Sequence, residues 1–208
     1  MKIHGFVTAG GRSSRMGRDK AWLELGGRSM IELVIEQLRS ITTEIGIIAS
    51  GKEYERLGCS LFSDEKTSIG PLEAIRTALT NARASLIVLV ACDLPFVKSE
   101  LFAELIRRTS NYDAVVPVGP DGRLEPLCAV YSTRALKAAT ELIEGGERKV
   151  NLLFDRVPTS FVAFEELQKL EGSDSFFTNV NTPEDYTRAQ EILLKALSGD
   201  CNQGVDGS

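Results

Sequence analysis

Apolar and polar positions alternate along this chain with two different periods. Ile3–Thr8 is a short apolar run, which predicts a strand. From 29 to 38 the apolar residues are Met30, Ile31, Val34, Ile35 and Leu38, the spacing of one helical face. Strand-like runs return at 44–49 and 61–62. Helical spacing resumes over 72–79, after Gly70-Pro71 with proline early in the first turn. The stretch SLIVLVA at 85–91 is continuously apolar, as a central parallel strand covered on both faces requires. A helix is predicted over 99–108. Strands follow over 114–118 and 126–131, joined through the turn signal Pro120-Asp121-Gly122. Helices over 133–143 and 149–154 precede a strand over 159–164. Thr182-Pro183-Glu184-Asp185 then carries a capping-box pattern with proline at the first helical position, and that helix is predicted to run to Leu197. The closing SGDCNQGVDGS is polar and glycine-rich and reads as a disordered tail over 198–208.

Such alternation predicts an α/β fold, a three-layer Rossmann-like α/β/α arrangement with a mostly parallel central sheet. No internal repeat and no domain boundary interrupts it, so residues 1–197 read as one domain. In sheets of this kind ligands bind beyond the carboxyl ends of the strands, and candidate chemistry is sought there. With 43% hydrophobic and 25% charged residues among 208, the composition is that of an ordinary globular protein. No apolar run is long enough to cross a bilayer, and the first strand is too short to be a signal peptide, so a cytoplasmic location without membrane partners is expected.

Four cysteines, Cys59, Cys92, Cys128 and Cys201, show no CxxC spacing, and His4 is the single histidine. A zinc cluster of histidine and cysteine is thereby excluded. Cys92 and Cys128 sit in apolar runs and read as buried free thiols. A net charge of −5 argues against nucleic acid as a partner. Within that acidic chain, Arg12, Arg15, Arg18 and Lys20 crowd one short stretch opposed only by Asp19. Either the loop is simply solvated, or it binds a small anion.

The cations stand directly after the first strand, in Thr8-Ala9-Gly10-Gly11-Arg12-Ser13-Ser14-Arg15-Met16-Gly17-Arg18-Asp19-Lys20. Glycines let the backbone approach a phosphate, and arginine and lysine neutralise it. The string matches neither GxxxxGK[ST] nor GxGxxG. Asp93, in Cys92-Asp93-Leu94-Pro95, follows the most apolar strand. There it reads as a Mg²⁺ ligand facing the crevice or as a turn residue. Gly70 opens a helix whose backbone N–H groups suit an anion or a base edge, or serves only as a helix entry. Asn179 and Asn181, two apart in an extended segment, point the same way and suit a shared ligand, or are turn residues ahead of Thr182.

The string TAGGRSSRMGRDKAWLELGGRSMIE resembles the signature of the molybdenum cofactor guanylyltransferase family, nucleotidyltransferases built like the sugar-phosphate enzymes. The resemblance continues through GPLEAI, CDLPF, EPLCAVY and FFTNVNTPEDY, in the family's order, over about residues 3–188. It implies a Mg²⁺-dependent enzyme with GTP and Mo-molybdopterin as substrates. The terminal phosphate of molybdopterin attacks the α-phosphorus of GTP, and pyrophosphate leaves. It further implies other cofactor-biosynthesis proteins and apo-molybdoenzymes as partners. Carried over residue by residue, Thr8, Ala9, Gly10 and Gly11 form the nucleotide-binding turn. Lys20 is the triphosphate lysine and Arg15 its neighbour. Asp64 is a nucleotide contact, Asp93 the metal ligand, and Asn181 lies on the molybdopterin side. Ala49-Ser50 departs from the pattern, which has an asparagine contact after the second strand. Three alternatives stay open: a molybdopterin cytidylyltransferase, an enzyme loading a sugar phosphate, and a non-catalytic nucleotide-binding protein. Ala9-Gly10-Gly11 resembles the guanine-type pattern and favours guanylyl transfer over these alternatives.

Overall fold

Apolar runs build a seven-stranded sheet, and the helical faces cover it on both sides. The computed structural model describes residues 2–10, 19–63 and 70–200, with side chains to 196. Its strands are β1 Ile3–Thr8, β2 Glu24–Leu25, β3 Arg28–Ser29, β4 Ile45–Ile48, β5 Ser60–Phe62, β6 Leu86–Ala91, β7 Ala114–Pro117, β8 Cys128–Ser132 and β9 Thr159–Val162. Its α-helices are α1 Met30–Arg39, α2 Pro71–Thr80, α3 Ser99–Arg107, α4 Leu136–Glu144, α5 Asn151–Phe154, α6 Phe164–Leu167 and α7 Pro183–Asp200. The main sheet runs β5-β4-β1-β6-β8-β7-β9, and β2 and β3 form a separate hairpin. All its pairings are parallel except those of β8, which runs against both β6 and β7.

All six residues of β6 are buried, because strand side chains alternate between two covered faces. Val88 and Val90 pack with Val34, Ile35 and Leu38 of α1 and with Leu101, Phe102 and Leu105 of α3. Ile87 and Leu89 pack on the opposite face with Leu72, Ile75 and Leu79 of α2 and Ala139 and Leu142 of α4. Each fully buried aliphatic side chain stabilises the fold by roughly 1.5–3 kcal/mol relative to exposure. A smaller cluster, Leu23, Leu25, Met30, Val180 and Ala189, fastens α7 to the β2–β3 hairpin. The Tyr186 hydroxyl adds a bond to the Glu24 carbonyl at 2.5 Å.

The expected turn between β7 and β8 is closed by Gly122 N–H donating to the Gly119 carbonyl at 3.0 Å. Features that differ from the sequence expectation include the β2–β3 hairpin and the end of the last helix. The β2–β3 hairpin turns through Gly26 and Gly27, at φ 61° and 80°, where two-residue strands are too short to show a period. The last helix reaches Asp200, so the boundary expected at 197 falls inside it. Its added residues, Ser198 to Asp200, continue the hydrogen-bonded ladder of α7, which needs no apolar face to propagate. Residues 201–208 lie outside the described residues. No helix among the described residues is long and apolar enough to cross a membrane.

Candidate active site

β1 lies between β4 and β6, and the chain leaves it first toward one neighbour and later toward the other. That reversal of strand order opens a crevice at the carboxyl ends. The crevice has a volume of about 230 Å³, and Thr8, Ala9 and Gly10 form its floor with Ala49, Ser50 and Asp93. Gly70 and Ala74 close one wall. Gly70 caps α2 at φ +85°, which glycine alone adopts without strain, and Pro71 takes the first helical position. α2 therefore begins at the rim with first-turn N–H groups that have no partner within the helix, and with the positive end of its dipole.

Lys20 reaches the crevice from a 3-10 turn, Lys20–Trp22. Asp19 caps this turn: one carboxylate oxygen accepts from Ala21 N–H at 3.0 Å, and the other accepts from the Tyr54 hydroxyl. Both oxygens of Asp19 thus help to hold the turn. Tyr54 is buried and lies 5.2 Å from Trp22, centroid to centroid. Burial, reinforced by the Asp19 hydrogen bond, pushes the Tyr54 hydroxyl far above its usual range, so it stays a donor. So anchored, the Lys20 ammonium donates to Asp93 Oδ2 at 2.5 Å and to Asn181 Oδ1 at 2.7 Å.

Asp93 follows β6 directly, and its own carbonyl accepts from Val180 N–H at 2.9 Å. The segment carrying Asn181 is therefore pinned to the same corner. Its exit is fixed by Asp185, whose carboxylate accepts from Asn181 N–H at 3.1 Å and Thr182 N–H at 3.0 Å. Thr182 Oγ1 returns the bond from Asp185 N–H at 3.1 Å, which completes the capping box and starts α7. Three side chains far apart in sequence thus converge, Asn181 through the backbone bond of Val180 to Asp93 and Lys20 through its own bonds to both.

Thr8, Ala9, Gly10, Lys20, Gly70 and Asp93 all line the one crevice, and Asn181 joins through Lys20. Asn179 is exposed, and its amide turns back to the Phe177 carbonyl at 3.5 Å. Gly11, Arg15 and Asp64, with Arg12 and Arg18, lie outside the described residues. Ala49 and Ser50, where the resemblance breaks, do line the crevice. Cys92 and Cys128 are buried, and burial raises both thiols far from ionisation, so neither is a thiolate nucleophile.

A MobA-like NTP transferase domain matches residues 5–157. The chain belongs to this family. It is 36% identical over 201 residues to a probable molybdenum cofactor guanylyltransferase of Pelotomaculum thermopropionicum, covering 96% of this chain and 97% of the relative. The solved molybdopterin-guanine dinucleotide biosynthesis protein A of Archaeoglobus fulgidus superposes with a TM-score of 0.78 at 29% identity, covering 94% and 100% of the two chains. A 2-C-methyl-D-erythritol 4-phosphate cytidylyltransferase from Thermus thermophilus shares the fold, with a TM-score of 0.71 at 19% identity over 93% and 100%.

Three residues of this MobA-like transferase that sequence reasoning did not single out bear on the crevice. Trp22 and Tyr54 support Lys20, and no spacing rule links residue 19 to residue 54. The third is Glu125, in the segment EPLCAVY. It is half-buried, and burial, with the negative charges of Asp121 and Asp93, pushes its carboxyl up to about 7 against the pull of Arg123. Its charge in turn helps raise the Cys128 thiol beneath it.

The raised Glu125 carboxyl predicts a pH-dependent stability. The folded state holds this proton more tightly than the unfolded chain, whose glutamate titrates near 4.5. Its contribution is present below about 4.5, declines as pH rises, and is lost above about 7. Glu125→Gln carries no such charge. Relative to the parent, its melting temperature will rise between pH 4.5 and pH 8. A gain on the order of 1 kcal/mol, discounted for partial exposure, corresponds to about 2–4 °C for a chain of this size. Thermal melts across that range check the slope, and a pH-independent difference contradicts it.

Proposed function

We propose that this protein transfers GMP from GTP to the terminal phosphate of Mo-molybdopterin, releasing pyrophosphate and forming molybdopterin guanine dinucleotide in the cytoplasm. The observation that carries the reading is Lys20, held between Asp93 and Asn181 at the edge of the crevice. It places a cation, a carboxylate and an amide together where the phosphates of a nucleotide over β1 would end.

An oxygen of the acceptor phosphate forms a bond to the α-phosphorus. The bond from that phosphorus to the bridging oxygen breaks, and pyrophosphate leaves with the electron pair. A phosphate monoester is largely ionised near neutral pH, so the reaction needs no histidine base. The protein's part is positioning and charge stabilisation. The backbone of residues 8–10 and the start of α2 hold the nucleotide, and Lys20 meets the charge gathering on the leaving group. Asn181 orients Lys20 and faces the acceptor side. Arg15 and Asp64 complete the nucleotide contacts in this reading.

Mg²⁺ fits the donor set. It takes hard oxygen ligands, commonly one or two carboxylates with substrate phosphate oxygens. Asp93 offers one carboxylate at the crevice, and the described residues contain no acidic, histidine or cysteine cluster that would form a separate cage. Bound to Asp93, the ion would supply positive charge to the phosphate oxygens.

Base choice tests the reading. Turnover of radiolabelled GTP and CTP with Mo-molybdopterin gives the ratio of their kcat/KM values. A ratio above one supports guanylyl transfer, and a preference for CTP overturns it. Gly10→Ala probes the turn that passes beneath the nucleotide. A β-carbon there would lie 3.8 Å from Ser50 N and 3.9 Å from the Tyr54 hydroxyl, in ordinary contact. The substitution acts instead through the backbone, because φ is +77° and a left-handed alanine costs roughly 1–2 kcal/mol. Relief of that strain displaces the turn, and kcat/KM for GTP will fall about tenfold. An unchanged rate and base ratio would show that this turn does not read the base.

A further inference from the structure

We propose that Glu125 receives the acceptor substrate, its carboxylate taking hydrogen bonds from the amino and ring N–H groups along one edge of the pterin. This rests on the function proposed above and assigns a residue to its second substrate.

Sheet order sets the two substrate sides. The crevice described for the nucleotide is built from the ends of β1 and β4 and the start of α2. Across β6 from it lie β8 and β7. A second substrate whose phosphate must meet the nucleotide near Asp93 comes over that other half. Because β8 runs backwards, its entry, not its exit, stands at the same rim as Asp93. Ala91 N–H donates to the Leu127 carbonyl at 2.7 Å and fixes this entry beside the end of β6. Leu127 lines the crevice, and Glu125 is two residues before it.

The backbone of Glu125 is fully used. Its N–H donates to the Pro117 carbonyl and its carbonyl accepts from Cys128 N–H, both at 3.0 Å. Its carboxylate has no hydrogen-bond or ion-pair partner among the described residues, although the residue is half-buried. The neighbouring turn does not supply one. Arg123 is paired with Asp121 at 3.5 Å, and Asp121 Oδ1 also accepts from Arg123 N–H at 3.0 Å. A half-buried acceptor with no protein donor is left to water or to a ligand that brings its own donors.

A pterin offers what this carboxylate lacks. Its amino group and adjacent ring N–H are parallel donors, matched in spacing to two carboxylate oxygens, as in other bidentate pairs. A β-carbon on Gly119 would stand 3.2 Å from Asp121 Oδ1, a tight approach, and 3.4 Å from Glu125 Oε1, so both acids lie against this glycine.

The test uses full-length protein, GTP and Mo-molybdopterin. Glu125→Gln keeps the size and loses the charge. Its KM for molybdopterin will rise about tenfold or more, the loss of a charge-assisted contact, with kcat little changed. Affinity for GTP, measured by equilibrium binding without acceptor, will stay that of the parent. Gly119→Ala will shift the same KM in the same direction by less, and Glu125→Asp will recover part of the loss. An unchanged acceptor KM in Glu125→Gln overturns the proposal. So does a weakened affinity for GTP, whose guanine carries a similar N–H edge, or a shifted Mg²⁺ half-saturation, which would make the residue a cation ligand. Failure of the wild type to guanylylate molybdopterin would instead overturn the proposed function. Direct binding of molybdopterin to wild type and Glu125→Gln would then still decide the role of Glu125.

Discussion

Replacing Lys20 with alanine will lower kcat/KM for GTP by about one to two orders of magnitude, with most of the loss in kcat. The Nζ atom makes two bonds, to Asp93 at 2.5 Å and Asn181 at 2.7 Å, and it is only partly exposed. In the function proposed above, the same ammonium meets the triphosphate. Charge-assisted bonds contribute roughly 1.5–3 kcal/mol, and about 1.4 kcal/mol is a factor of ten in rate. Lys20→Arg separates charge from shape. A planar guanidinium cannot replace a compact ammonium between two acceptors, so it will rescue only part of the rate. If Lys20 were merely structural, alanine would lower the melting temperature and leave kcat alone. Steady-state kinetics at saturating acceptor, with parallel melts, separate these outcomes.

Asp93→Asn is expected to cost more, about a thousandfold in kcat, since it removes the one carboxylate among the described residues that line the crevice and leaves Lys20 without its ionic partner. The fold should persist. The main-chain carbonyl of residue 93 still accepts from Val180, and Leu94 and Val97 beyond it remain buried. Raising Mg²⁺ will recover little of the rate. Near-normal turnover at low Mg²⁺ would exclude Asp93 as the metal ligand. Combined with Lys20→Ala, the loss will be smaller than the product of the two single losses, because the two groups act as a unit.

The sheet was legible because its strands are either continuously apolar or bounded by turn residues. Val88 and Val90 face one cluster and Ile87 and Leu89 the other, a pattern that only a doubly covered strand needs. The direction of β8 was not legible, since alternation of side chains is the same for parallel and antiparallel strands. The Glu24–Ser29 hairpin was announced only by Gly26-Gly27. In the site, the glycine and the carboxylate stood just after apolar strands, where strand ends place them, whereas Lys20 comes from a separate 3-10 turn. Their mutual contacts were beyond sequence reasoning, because Lys20 and Asn181 are separated by 161 positions. Asn179 shows the limit of local reasoning. Spacing by two suggested a shared ligand, and in the structure one amide N–H of this exposed side chain turns to the Phe177 carbonyl of its own segment. Glu125 escaped notice because nothing in its neighbourhood marks a half-buried acid until the β7–β8 turn folds over it.

Every strand of the sheet is complete by residue 162, whereas the Val180 N–H that holds the Asp93 carbonyl and the Asn181 oxygen that holds Lys20 come later. During synthesis on the ribosome, the nucleotide half of the crevice is therefore made first. Its cation gains its second acceptor only as the final stretch emerges. A protease that clips between residues 162 and 180 would release a product that retains the nine strands of the described residues and has lost that corner. Immunodetection of such a fragment in cells would overstate the amount of competent enzyme.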